Sequence, residues 1–418
     1  MTTTTPPWST ERCDAAVERG SHKSAHTDRA FVFDEMLDFC QQGYWVVLPY
    51  SAVRHWDLLR VSPLGAVPQR DRRPRLIVDY SFSNVNQETV ALAPSEAMQF
   101  GRAFQHVLSN IVNADLRYGP VYPSKIDITE GFYRVWLQAD DIPKLGVVLP
   151  TLPGLPPLIA FPLALPMDWV ESPPFFSVLT ETACDLANAR LRDRSNGSDS
   201  TAHRLESVAA TPPPEIPTAA PHVTQSTTKP AGTCPSGRLP VAEVDVYVDD
   251  FLLMAQTENR RRAVLRTTLE AIDSVFRPLC ASDPEHRKEP ASVKKMLKGD
   301  AAWATRKRIL GWDLDTEAST LHLPAHRIER LYELLDKISP PHKRTSVEVW
   351  HQLLGELRSM SPPFREHAAF SQSYSTPSAR QTAIESRSLR PCGTWRPTFG
   401  PLPTPSAIDP RASKNLCL

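Results

Sequence analysis

Apolar positions recur in two rhythms along this chain, and the switch between them marks most of its predicted elements. Short apolar runs, continuous or alternating and bounded by polar or turn residues, predict strands over 44–50, 75–80, 122–128, 244–248 and 251–255. A rhythm of 3.6 residues predicts a helix over 172–187, with Phe176, Leu179, Ala183 and Leu186 on one face. The same rhythm over 259–276 aligns Leu265, Leu269, Ile272 and Phe276. Ser172 is an N-cap candidate for the first of these helices, and Pro173 suits its first turn. A short aromatic segment runs from Phe132 to Trp136. Residues 307–313 and 319–323 read as a further hairpin, and 326–338 and 346–360 as two amphipathic helices. The last helix opens with Thr345-Ser-Val-Glu348, a capping-box spacing, and presents Val347, Trp350, Leu354 and Leu357.

Three stretches carry neither rhythm. Residues 1–28 are polar and are expected to form a disordered tail, with order starting near 30–39. Residues 188–240 hold eight prolines, many Ser and Thr, and no Phe, Tyr or Trp, the composition of an insertion without its own core. Enlarging a loop tenfold costs only roughly 2 kcal/mol of closure entropy, so a fold can carry it. A true boundary between two domains has the same composition and stays open. Residues 361–418 are rich in Pro, Ser and Arg and read as a disordered tail or as out-of-frame sequence.

Composition sharpens this outline. Of 418 residues 41 are proline, about twice ordinary usage, so the packed fold is expected to be shorter than the chain. Lys and Arg total 47, as do Asp and Glu, which excludes a globally basic binder but not a local basic channel. Such a local excess exists. Residues 54–75 carry net +4, and Arg70, Arg72 and Arg73 are candidates for phosphate contact, although a solvated hairpin surface has the same pattern. Seven scattered cysteines without a C-x-x-C pair disfavour a zinc knuckle or a disulfide framework and suit an intracellular, cytoplasmic or nuclear protein. The first fourteen residues lack the apolar core of a signal peptide. Residues 145–167 are uncharged, but their six prolines forbid a membrane-spanning helix, so a soluble protein is expected.

The strongest chemical signal is Tyr247-Val-Asp249-Asp250, two adjacent carboxylates between two apolar strand runs. Asp is common in hairpin turns, so the pair alone has an ordinary reading. Asp127, however, ends the strand over 122–128 in an equivalent way. Side by side in one sheet, these strand ends would unite Asp127, Asp249 and Asp250. Three ionised carboxylates cannot share a site without cations. Oxygen ligands and substrate phosphates suit Mg²⁺, and two such ions assist an in-line phosphoryl displacement. Asp127 as a mere helix N-cap is the alternative.

At this point the sequence resembles reverse transcriptases of retroviruses and LTR-type retroelements, through five blocks in family order over about residues 40–360. The blocks are Arg75-Leu-Ile-Val-Asp79-Tyr80, Asp127 to Tyr133, Leu165-Pro-Met-Asp-Trp169-Val-Glu-Ser172-Pro173, Tyr247-Val-Asp249-Asp250 and Ile309-Leu-Gly311-Trp312. The resemblance implies an α+β right-hand polymerase fold. Residues 29–340 would form fingers and a palm with an antiparallel sheet, and 341–360 a thumb-like helix. It implies RNA-directed DNA synthesis on an RNA or DNA primer-template with dNTPs, and no membrane partner. Asp127, Asp249 and Asp250 would hold two Mg²⁺ ions, or Mn²⁺, and the Ile128 carbonyl would help. Arg75 would clamp the triphosphate, Phe132 would exclude a 2′-hydroxyl, and Met167 would lie at the nucleotide. Tyr247, Trp169, Gly311 and Trp312 would contact primer or template. A lysine among Lys294, Lys295 and Lys298 would serve as general acid.

Two departures qualify these expectations. Relatives commonly carry Gln at Met167, and Gly at Asp168. If position 168 needs φ > 0, Asp costs roughly 1–2 kcal/mol there, and its charge opposes a triphosphate. A non-catalytic nucleic-acid-binding remnant of the same fold is therefore the second expectation. A two-metal nuclease or phosphatase is a third, but it leaves Arg75, Phe132 and the Trp312 hairpin unexplained.

Overall fold

The computed structural model describes residues 6–69, 72–90, 100–193, 201–212, 239–277, 287–338 and 345–360. These residues fall into two units, one of residues 6–212 and 239–319, the other of residues 320–360. The fold is mixed α+β with several sheets.

In the first unit, β1 (Trp45–Pro49), β2 (Val61–Gln69) and β3 (Arg72–Val78) precede β4 (Tyr122–Asp127), β5 (Gly146–Val148) and β6 (Leu158–Pro162). Five of these strands form one sheet in the order β1-β6-β5-β2-β3, in which β2 and β5 are parallel and the other neighbours antiparallel. Three short or medium helices pack beside it: α1 (Thr10–Arg19) and α2 (Lys23–Thr27) on β2, and α3 (Arg29–Gln41) on β1. Two single-turn helices, α4 (Tyr50–Val53) and α5 (Val85–Glu88), and the longer α6 (Phe100–Val112) complete this part.

The second sheet combines β4 with β7 (Ala242–Tyr247) and β8 (Asp250–Ala255), in the order β4-β8-β7, all antiparallel. Phe251, Leu252, Leu253, Met254 and Ala255 are all buried, which is why β8 reads as a continuous apolar run rather than an alternation. Helices α7 (Ser172–Arg192) and α9 (Glu258–Phe276) pack on each other and on this sheet, and α6 packs on β7 and β8. Ser172 is the first helical residue of α7 rather than its cap, and its hydroxyl donates to the Pro166 carbonyl at 2.6 Å. The unit ends with α8 (Glu206–Ala209), α10 (Val293–Met296), and a hairpin of β9 (Arg306–Ile309) and β10 (Trp312–Asp315).

Three expectations change. The segment expected as a disordered tail to residue 28 is folded from Ser9 on. Trp8, Cys13, Val17 and Ala25 are buried, and Trp8 Nε1 donates to Glu88 at 3.0 Å. Four apolar anchors among so many polar residues are too few to raise a periodic signal. The stretch 188–240 is not wholly without contacts either. Helix α7 continues to Arg192, and α8 buries Ala209 next to the buried Leu205. Arg204 and Glu206 fasten it through Asp273, Glu289 and Arg266. Charged anchors of this kind leave no trace in a hydrophobic pattern. The run expected as one strand over 307–313 is itself a hairpin, β9 with β10, within 306–315. It turns at Leu310-Gly311, where both φ angles are positive, +46° and +79°, as a two-residue type I′ hairpin turn requires.

In the second unit, β11 (Thr320–His322) leads into α11 (Ala325–Asp336) and α12 (Val347–Met360). Arg327 bonds Glu356 at 3.3 Å and Arg330 bonds Gln352 at 3.2 Å, joining the two helices. Ser346, one residue later than expected, caps α12 by accepting from Val349 N at 3.3 Å. The stripe Val347, Trp350, Leu354 and Leu357 is exposed, while Leu353 and Met360 are buried. The expectation for 361–418 falls outside the described residues.

Candidate active site

The register of the second sheet builds the acidic site. Asp127, the last residue of β4, lies directly opposite Asp250, the first of β8. Directly opposed residues of antiparallel strands have Cβ atoms about 5 Å apart. Asp249 belongs to the two-residue turn between β7 and β8, and its carbonyl accepts from Ile128 N at 3.1 Å. One carboxylate oxygen from each of Asp127, Asp249 and Asp250 can lie within 4.8 Å of the others. The turn that achieves this is strained. Val248 has φ +56°, and a β-branched residue in the left-handed region costs on the order of 1–2 kcal/mol.

Two lysines share the site. Lys125 is two residues before Asp127, on the same face of β4 and diagonal to Asp250. Its Nζ lies 3.1 Å from Asp250 Oδ1 and 3.4 Å from Asp127 Oδ1. Lys295, on α10, places Nζ 2.5 Å from Asp127 Oδ1. Helix α10 is held there because Ser292 N donates to the Asp127 carbonyl at 2.8 Å. Lys295 belongs to the trio expected to include a general acid. Lys125 was not anticipated, although the period of two along β4 puts it on the face of Asp127.

Burial and charge pull the carboxylates apart. Burial and the bond to Asp127 push Asp250 up to about 7. Burial also raises Asp249. Burial alone would raise Asp127, but hydrogen bonds from Asp250 and Lys295 and the charge of Lys125 hold it low. Asp127 is buried, and its Oδ2 has no hydrogen-bond partner. A donor set of carboxylate oxygens, with one buried and unpartnered, fits a hard divalent cation such as Mg²⁺.

The remaining expected residues separate into two groups. Arg75, on β3, is half exposed and donates to Met167 Sδ at 3.5 Å, so these two do meet. Asp168 has φ +69°, the left-handed backbone in which a glycine is easier. Its carboxylate accepts from Val78 N at 3.2 Å and lies 4.0 Å from the Arg75 guanidinium. Burial raises the Asp168 carboxyl, against the pull of Val78 N–H and Arg75. Tyr247 stands opposite Asp250 at the end of β7 and is 37% exposed. Phe132 is partly buried, edge-on to Phe176 with ring centroids 5.1 Å apart. Gly131 allows that approach, since a Cβ there would sit 2.5 Å from the Phe176 ring.

Other expected contacts are turned inward. Trp169 is buried, 6.2 Å from Phe175 in a stacked pair. Trp312 is buried and stacked on Phe104 at 6.2 Å. The Ile128 side chain is buried, a position that bears on its packing and not on its carbonyl, and Gly311 serves the β9–β10 turn. Arg73 is half exposed and paired with Glu35 at 3.2 Å. Arg70 and the Arg72 side chain lie outside the described residues.

No family model and no curated protein matches the chain. Among solved structures it is similar to foamy viral protease-reverse transcriptase in complex with dsDNA, at 14% identity and a TM-score of 0.44, over 81% of this chain and 48% of that one. It is also similar to the same viral protein in complex with an RNA/DNA hybrid, at 15% identity and a TM-score of 0.44, over 93% and 38%. The chain spans less than half the length of these structures. Among the described residues, no helix is long and apolar enough to cross a membrane.

Proposed function

We propose that the chain is a nucleic-acid polymerase of the reverse-transcriptase type, adding dNMP to a primer 3′-OH on an RNA or DNA template. One observation carries this reading: Asp127, Asp249 and Asp250 converge at the meeting point of three strands, with a buried, unpartnered oxygen on Asp127. In this reading the β4-β8-β7 sheet with α7 and α9 is the palm, the five-stranded sheet the fingers, and α11 and α12 the start of a thumb.

Asp127, Asp249 and Asp250 would hold Mg²⁺, which would supply Lewis-acid activation of the 3′-OH and charge neutralisation at the phosphates. Arg75, exposed beside Met167, offers a guanidinium fork to the triphosphate. Phe132, braced by Phe176, lies against the sugar. Tyr247 stands beside Asp250, where the primer end must approach. Lys295 has its ammonium at Asp127, and we assign it, among its trio, as proton donor to the departing pyrophosphate.

A second reading, a nucleic-acid-binding remnant without catalysis, draws on Asp168. Its carboxylate occupies the neighbourhood of Arg75 that a triphosphate needs. Primer extension by the full chain, on RNA and on DNA templates with dNTPs and Mg²⁺, separates the two. Extension that disappears in Asp249→Asn supports the polymerase. A folded chain that binds primer-template but extends neither template supports the remnant.

A further inference from the structure

The two lysines do not serve the triad equally. Lys125 Nζ contacts both oxygens of Asp250, at 3.1 and 3.2 Å, and Asp127 Oδ1 at 3.4 Å. Lys295 contacts the same Asp127 Oδ1. Both ammonium groups therefore converge on one edge of the cluster. They leave Asp127 Oδ2 without a partner. The Lys125 side chain is 20% exposed, rooted in β4 and closed in between Asp127 and Asp250. Lys295 is 47% exposed on a one-turn helix.

An ammonium about 3 Å from two carboxylates occupies the place a bridging cation would take, and it repels a divalent ion there. Charge gives the same answer. With all three carboxylates ionised, as a metal would require, the two ammonium groups leave a deficit of one positive charge, which a single divalent ion more than meets. Building on the metal-binding reading above, we infer that Lys125 is a resident cation on the Asp250 side. Without substrate, the triad then has one open divalent site, made by Asp127 Oδ2 and Asp249. Lys125 is thus a positioning residue that holds Asp250 and Asp127 together before any metal arrives.

The test is Mn²⁺ binding to the full chain without nucleic acid or nucleotide, read from the loss of the free-ion EPR signal. The native chain takes up one Mn²⁺. Lys125→Met takes up a second, or binds the first about tenfold more tightly, and Lys125→Arg returns to one at native affinity. Two ions bound by the native chain overturn the inference, whether or not Lys125→Met folds. So does a folded Lys125→Met that matches the native isotherm. Failure of the metal reading itself looks different: native binding is absent, or survives unchanged in Asp249→Asn.

Discussion

Two charged clusters in the first unit contain similar ingredients and end in opposite states. Around Arg204, the guanidinium bonds Asp273 Oδ1 at 2.9 Å and Glu289 Oε1 and Oε2 at 2.7 and 2.9 Å, and also Asp273 Oδ2. His203 adds a contact to Asp273 at 3.2 Å. Every oxygen of the two carboxylates faces a donor. Burial opposes ionisation of Asp273, but Arg204 and His203 hold its carboxyl well below the usual range. In the triad, three carboxylates face two lysines, one Asp127 oxygen has no partner, and Asp250 is pushed up to about 7. A saturated network fastens chain segments together. An unsaturated one keeps coordinating capacity for something that is not protein, and raised carboxylates are the cost of that capacity.

The strongest way to break this contrast is Asp249→Asn. Extension should fall on the order of 10³-fold while primer-template affinity and thermal midpoint stay near native. Retained activity would place the triad with the structural networks. Arg204→Ala should do the reverse, lowering stability in denaturant by about 1–2 kcal/mol and leaving extension at a permissive temperature unchanged. An unchanged midpoint would show that residues 201–212 are not clamped through Asp273 and Glu289.

The pH dependence of the metal-free chain sharpens the contrast further. Asp250 has a folded pKa raised to about 7. Its contribution is fully present below its ordinary pKa near 4 and is lost as pH rises through 7. Asp273 is shifted the other way, so its contribution is present at neutral pH and is lost as pH falls below its ordinary pKa. In EDTA, Asp250→Asn should therefore flatten the decline of Tm between about pH 4 and pH 7. Asp273→Asn should flatten only the acid side. A swap of these effects would overturn the assignment of the two clusters. The smallest expected change is at Asp168, which is only partly buried. Asp168→Gly relieves left-handed strain and loses the bond from Val78 N, so Tm should hardly move. The KM for dNTP should fall about fivefold, the scale of one exposed ion pair. An unchanged KM would separate Arg75 from the triphosphate.

Much of the candidate site was legible because strand ends leave strong local marks. The apolar frame of Asp249-Asp250 and the strand before Asp127 were both readable, and pairing β4 with β8 is the one step that turns three scattered carboxylates into a cluster. Lys125 was equally visible as the residue two before Asp127, yet its relevance depends on the diagonal to Asp250, which exists only once the register is set. Trp169 and Trp312 show the converse. Their motifs carry an expectation of nucleic-acid contact, while their burial, beside Phe104 of α6 and Phe175 of α7, could be read only from the folded chain.

The amino-acid sequence alone determined the strands β4, β7 and β8 and the helices α7, α9, α11 and α12, the alternation that puts Lys125 and Asp127 on one face, and the carboxylate chemistry suited to a divalent ion. These follow from side-chain period and donor type, which are local properties. Tertiary structure decided the rest. It folded the N-terminal segment onto β2 through four apolar anchors and tied residues 201–212 down through ion pairs. It also chose which oxygen of Asp127 the lysines cover. Each of those outcomes depends on groups distant in the chain meeting in space, and neither composition nor periodicity encodes such meetings.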